Sequence, residues 1–210
     1  NSKGCPVAFW DYCPHRGTSF DKVTLESDDS ISCPYHGFVY NTEDGKLEGG
    51  IGVIPGCSGI KMIDCIEQSG IVWGCIDGND DSIKPPPELK ETSDENFRKI
   101  TGSVTVKCPV ENFIDNVLCA IHLHKVHSFG NRIEPEPLNY KASKVSETSG
   151  VATFQYNTGE TSMFNGIADV TNWYEIPCTA GTRVTSGKNV KIVQVHAVQL
   201  PGGYTKVFWE

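Results

Sequence analysis

Two short boxes hold the residue types best suited to binding a metal. The first is Cys13-Pro14-His15-Arg16-Gly17, and the second, twenty residues on, is Cys33-Pro34-Tyr35-His36-Gly37. As spacing this reads C-x-H, seventeen residues, then C-x-x-H. Each box pairs one soft thiolate with one imidazole, and each ends in glycine. Two Cys and two His can hold a tetrahedral zinc, or a [2Fe–2S] cluster in which two His replace two Cys on one iron. The mixed pairing favours the cluster. Zinc-finger spacings usually set Cys with Cys and His with His. A cluster with one Cys-ligated and one His-ligated iron uses one of each per loop. The glycines also allow tight loops whose N–H groups turn toward sulfur, which tunes a cluster and does little for zinc. Zinc stays as the alternative.

A second group of possible ligands lies downstream. Three of the six histidines crowd into Ile121-His122-Leu123-His124-Lys125-Val126-His127. The stretch from Pro109 to about Ser128 is predicted helical. Pro109 suits a first turn, and apolar residues at 110, 113, 114, 117, 118 and 121 follow the helical period. Gly130 and the Pro135/Pro137 pair end it. At about 100° per residue, His122 and His127 lie about 140° apart, whereas His124 and His127 share a face. Two ligands five apart therefore require a distorted or ending helix.

The elements that must position these groups are mostly strands. Residues 1–80 read as short strands broken by Gly and Pro: Val7 to Trp10 leads into the first box, Ile31-Ser32 into the second, and Phe38 to Tyr40 out of it. Asn41 to Gly45 is a turn, and Ile71 to Ile76 is a strand closed by Asp77-Gly78. Pro85-Pro86-Pro87 reads as a stiff linker. Beyond it, strands are predicted at 100–107, 151–156, 190–200 and 204–209. The Gly/Thr/Asn-rich segment 157–188 carries little pattern. The domain division expected is 1–85, a linker at 86–98, and 99–210.

The 210 residues suffice for two modest cores, and the net charge of −8 argues against nucleic acid or an anionic membrane surface as partner. No apolar run approaches the roughly 18 residues of a membrane span, and no signal peptide is visible. Nine cysteines are many. The seven outside the boxes lie mostly in apolar runs. They read as buried free thiols of a cytoplasmic or other reducing compartment rather than a disulfide framework.

The two boxes resemble the CPHRG and CPYHGW boxes of Rieske non-haem iron oxygenases, the ring-hydroxylating α-subunit type. Ile54-Pro55 and Gly70-Ile71-Val72-Trp73 resemble flanking motifs of the same family, and Phe38 stands where Trp is usual. Thr18 and Phe38 occupy the region where respiratory Rieske proteins carry a loop disulfide. By this resemblance Cys13 and Cys33 hold the inner iron and His15 and His36 the outer one. The family's second motif, D/E-N-x-x-D-x-x-H-x-x-x-x-H, overlays Asp115-Asn116 through His122 and His127. It implies that these two histidines ligate a mononuclear Fe(II), with His124 in reserve. The motif's bridging Asp is Cys119 here, and Asp115, one turn earlier, is the candidate substitute. Asp115 also fits a competing alignment, Glu111-Asn112-Phe113-Ile114-Asp115, which would put Leu118 at the first His. The third, carboxylate ligand has no motif. Asp169, Glu175 and Glu210 are the carboxylates near apolar segments.

The resemblance implies an α+β chain: a small antiparallel all-β Rieske domain, then part of a helix-grip-like catalytic domain of antiparallel sheet plus helix. Relative to a full oxygenase subunit the chain reads as cut short at both ends. Implied partners are a reductase or ferredoxin donor, O2, a small organic substrate, and further copies in a homotrimer. A carrier of electrons with an incomplete second domain is the alternative.

Overall fold

The computed structural model describes residues 1–27, 29–50, 52, 58–76, 85, 88–127, 136–160 and 165–210. The expectations on Ile54-Pro55, Asp77-Gly78, Pro86-Pro87, Gly130 and Pro135 lie outside them. The chain forms two units, Asn1–Leu89 and Lys90–Glu210.

In the first unit the described strands are β1 (Ala8–Phe9), β2 (Thr24–Ser27), β3 (Ser30–Ser32), β4 (Val39–Asn41), β5 (Leu47–Gly49), β6 (Met62–Gln68) and β7 (Ile71–Cys75). They make two antiparallel sheets, ordered β1-β6-β7 and β2-β3-β4-β5. The turn expected after Tyr40 joins β4 to β5. The Asn41 Oδ1 accepts the Glu43 N–H at 2.7 Å, so the side chain builds the turn locally. The core is Cys13, Phe20, Ile31, Cys33, Phe38, Tyr40 and Ile60. Both box cysteines are thus core residues, held among aromatic rings.

The second unit holds β8 (Gly102–Val106), helix α1 (Val110–Leu118), the single turn α2 (Leu123–Val126), β9 (Leu138–Lys144), β10 (Ser149–Glu160), β11 (Asn165–Glu175), β12 (Thr179–Ser186), β13 (Asn189–Leu200) and β14 (Tyr204–Trp209). Its strands form one antiparallel sheet, ordered β8-β14-β13-β12-β11-β10-β9. α1 lays Val110, Phe113, Ile114, Val117 and Leu118 on Ala180, Val195, Ala197 and Val207. Full burial of such a side chain contributes about 1.5–3 kcal/mol, and these five, half-buried, contribute correspondingly less. The Val110 N–H donates to the Gln199 side chain at 2.9 Å, which fixes the start of the helix to β13.

Two strands run through the segment where the sequence predicts little. On β11 the face toward the helix reads Ala168, Val170, Asn172, Tyr174, and the opposite face Ile167, Asp169, Thr171, Trp173. Small and polar residues sit where the helix packs, so the usual apolar alternation is blurred. The strand glycines have partners of their own. Gly102, Gly150 and Gly181 are register-paired with Trp209, Tyr174 and Trp173, and a Cβ on any of them would run into that ring. Aromatic side chains lying over glycine are a recognised way to fill a bare strand position.

Two expectations are corrected. The helix predicted over 109–128 is broken. It stops at Leu118, because Cys119 takes an extended conformation (φ −71, ψ 117) and Ala120 drops into a cluster with Phe154, Tyr156 and Val170. Ile121, counted on the apolar face, is 61% exposed as a result. The thiols outside the boxes are less buried than their apolar neighbourhoods suggest. All described cysteines are free, but Cys5 is exposed and Cys65, Cys75, Cys108, Cys119 and Cys178 are only half-buried.

Candidate functional site

The two boxes fold into matching loops. Cys13 N–H donates to the Thr18 carbonyl and Gly17 N–H to the Cys13 carbonyl, both at 2.7 Å. Cys33 N–H donates to the Phe38 carbonyl at 2.8 Å and Gly37 N–H to the Cys33 carbonyl at 3.0 Å. Both loops close through a glycine in the left-handed region, Gly17 at φ 73 and Gly37 at φ 67, where a side chain would be strained. The histidines stand at different places in these equivalent loops, third in the first and fourth in the second. Asp11 fastens the first loop, accepting the Phe20 N–H at 2.6 Å.

The four side chains divide by depth. Cys13 and Cys33 are buried at 1% and 3% exposure. His15 is half-buried and His36 exposed. The imidazoles lie edge to face with centroids 4.9 Å apart, and Phe38 presses edge-on against His15 at 5.0 Å. The exposed Tyr35 ring lies over His36 at 3.8 Å. The His15 Nδ1 is buried without a hydrogen-bond partner. Burial, then the neighbouring His36 and Arg16, hold the His15 pKa below its ordinary value. Burial pushes the Cys33 thiol up. The Tyr35 N–H opposes that, Cys13 adds to it, and the His36 N–H opposes it again. Loop amides therefore do face the Cys33 sulfur. From below, the Tyr40 hydroxyl lies 3.2 Å from the Cys13 sulfur.

In the second unit the helix break puts His122 just before α2 and His127 just after it. Their Nε2 atoms approach to 3.3 Å, with ring centroids 5.2 Å apart. Two imidazoles bound to one ion at about 2.1 Å and 90–109° apart would have nitrogens about 3.0–3.4 Å apart. Burial, then His122 and Lys191, lower the His127 pKa, which favours the neutral, ligating form. The Nδ1 atoms of His122 and His124 are buried without hydrogen-bond partners. Cys119 is half-buried and Asp115 exposed, off the face that α1 turns to the sheet.

The carboxylates weighed as a third ligand stand elsewhere. Asp169 and Glu175 occupy β11 positions on the face away from α1, and Asp169 accepts a bond from Gln155 at 3.0 Å. Glu210 pairs with Lys99 at 2.6 Å. Among the described residues, no three His, Cys, Asp or Glu side chains converge on a point one ion could share.

Residues 1–58 match the family model described as the Rieske [2Fe-2S] domain. Cholesterol 7-desaturase nvd of Hemicentrotus pulcherrimus is 30% identical over 124 residues, 55% of this chain and 26% of that protein. The carnitine monooxygenase oxygenase subunit of Escherichia coli (strain K12) is 23% identical over 201 residues, 82% of this chain and 50% of that protein. Among solved structures, the Pseudomonas putida CBB5 NdmA QL mutant with theobromine superposes with a TM-score of 0.76 at 20% identity, covering 97% of this chain and 60% of that one. Residues 1–58 are thus a Rieske [2Fe-2S] domain, and the chain as a whole shares the fold of NdmA. It spans about a quarter to a half of the length of these two curated relatives.

The Rieske boxes suit the cluster better than zinc. A single zinc needs its ligands around one point, and among the described residues no three converge so. A two-iron cluster would be held by the two buried thiolates, Cys13 and Cys33, and the two outer imidazoles, His15 and His36, and would supply one-electron storage. The buried, unpartnered Nδ1 of His15 is a ligand atom of the kind such an iron would take. In the second unit the His122 and His127 nitrogens stand at the spacing that two ligands of one ion would have. Tyr40 and Asn172 are contributors that the sequence reading passed over. For Tyr40 a signal existed, since the period-two alternation of β4 sets it on the same inward face as Phe38.

Proposed function

We propose that this chain carries the electron-transfer and oxygen-activating core of a Rieske-type oxygenase. In this reading Cys13, His15, Cys33 and His36 hold a [2Fe–2S] cluster, and His122 and His127 hold a mononuclear Fe(II). The donor is a reductase or ferredoxin, and the substrate a small organic molecule that is hydroxylated. When bound, the cluster supplies one-electron storage and the mononuclear iron supplies O2 chemistry.

The chain's own residues divide the remaining work. Cys13 and Cys33 keep their sulfurs out of water, while His36, under Tyr35, presents an exposed edge through which electrons enter or leave. His122 and His127 offer imidazole nitrogens, and burial, then His122 and Lys191, hold the His127 pKa below its ordinary value. The observation that carries the reading is the 3.3 Å approach of the His122 and His127 Nε2 atoms, in a chain that also bears the Rieske domain.

A single-turnover experiment tests it. Protein loaded with both metals is reduced and mixed with O2, and cluster reoxidation is followed in the visible spectrum. Fast reoxidation in the wild type and slow reoxidation in the doubly substituted His122→Ala/His127→Ala protein supports the oxygenase. Equal rates favour the electron carrier. That second reading rests on one observation: among the described residues no third ligand joins the histidine pair.

A further inference from the structure

The turn that carries His122 and His127 is placed by where α1 stops, and Asn172 stands at that point. It lies on β11, on the face toward the helix, and is buried at 4% exposure. Its Nδ2 donates to the carbonyl of Leu118, the last residue of α1, at 2.9 Å. Its Oδ1 is buried without a hydrogen-bond partner. A helix end leaves carbonyls without intrahelical partners, and they are met by water, by a capping turn or by a side chain. Here one is met by a side chain 54 residues away in sequence, reaching up from the sheet.

The sequence of events along the chain gives this bond its consequence. Leu118 is anchored by Asn172. Cys119 then turns to an extended conformation, its N–H bonding back to Asn116 at 3.3 Å. Ala120 seats against Phe154, Tyr156 and Val170. Only after these two fastenings does His122 begin α2. Helical geometry alone separates His122 and His127 by about 140°. They meet across the single turn 122–127, where His122 is helical and His127 leaves the helix in an extended conformation (φ −107, ψ 157); the break before His122 decides where that turn sits.

A buried Asn with one satisfied and one unsatisfied group is poor material for stability, since an orphaned buried acceptor costs about 1–3 kcal/mol. An apolar side chain of similar size would remove that orphan but leave the Leu118 carbonyl without its donor. We infer that Asn172 is a positioning residue for the mononuclear site, fixing the end of α1 and so the place over the sheet of the turn that carries both His122 and His127. The inference rests on the proposed function, in which that pair holds iron. Asn172 is not proposed to touch the metal. It acts through Leu118 and the segment 119–121.

The test uses the whole chain with its cluster in place. Fe(II) is titrated in anaerobically and read by the EPR signal of its nitric oxide adduct. The reduced cluster's own EPR signal and the thermal melt are recorded beside it. Asn172→Leu, Asn172→Ala and Asn172→Ser are compared with Thr182→Val, a change at the cross-strand neighbour of Asn172. The expected result is a loss of Fe(II) affinity of about tenfold or more in the Asn172 variants. Their nitric oxide signal should broaden or split, their cluster signal should stay unchanged, and each should still melt cooperatively. Thr182→Val should bind as wild type. Wild-type affinity and an unaltered adduct signal in Asn172→Leu or Asn172→Ala would overturn the inference. So would failure of all three Asn172 variants to fold, which would make the role one of stability alone. If the wild type itself takes up no Fe(II), or takes it up equally without His122 and His127, the site reading fails and the inference falls with it.

Discussion

The Tyr40 hydroxyl lies 3.2 Å from the Cys13 sulfur, inside the core of the first unit. With Cys13 as a cluster ligand, the O–H points at a thiolate that becomes more negative when the cluster accepts an electron. Hydrogen bonds to cluster sulfurs raise the reduction potential by stabilising the reduced state. Tyr40→Phe keeps the ring and removes the donor. The midpoint potential should fall by about 50 mV, roughly 1 kcal/mol for one electron. A redox titration followed by EPR measures it, and an unmoved potential would show that the bond does not act on the cluster.

His196 is buried at 3% exposure, its Nδ1 2.9 Å from the Thr179 hydroxyl. Burial holds its pKa below the ordinary value, and Glu210 only partly offsets this. The unfolded chain titrates near pH 6.5. Between that pH and the lower folded-state pKa, the unfolded chain binds more protons. Stability of the second unit is therefore full above about pH 6.5 and declines as pH falls. His196→Gln should flatten the melting temperature between about pH 7 and 5, measured by circular dichroism; an equally steep decline in the variant would assign the dependence to other groups.

Gly181 lies under the Trp173 indole across the β11–β12 ladder. Gly181→Ala would drive a methyl group into a ring that is itself half-buried. Overpacking of this kind costs about 1–3 kcal/mol, so the melt of the second unit should fall by several degrees. Ser→Ala at position 186, at the end of β12, serves as the mild comparison. A melt for Gly181→Ala as high as that of the comparison would mean that the ring moves aside freely.

The boxes are legible in the sequence because loop chemistry is local. Ligand type, Pro and Gly sit within five residues of one another, and the matching hydrogen bonds of the two loops repeat that pattern. The strand order of the large sheet is less legible. β11 and β12 put Ala168, Asn172 and Ala180 where helix α1 needs room, so shape complementarity replaces hydrophobic alternation. β9 is exposed along its whole length and has no buried face to announce it. The helix break is the clearest failure of local reading. The period continues through Leu118 to Ile121, and only Asn172 and the Ala120 pocket, distant in sequence, interrupt it. The same tertiary contacts that hide the break from the sequence place the turn that carries His122 and His127.

The central claim is that one chain holds both a Rieske cluster and a mononuclear iron at His122 and His127. Iron counting with EPR on the reconstituted protein tests it most directly. The account predicts about three iron atoms per chain in the wild type. The doubly substituted His122→Ala/His127→Ala protein should hold about two, with an unchanged Rieske signal. An equal iron content in both proteins, or a Rieske signal lost along with the histidine pair, would contradict it.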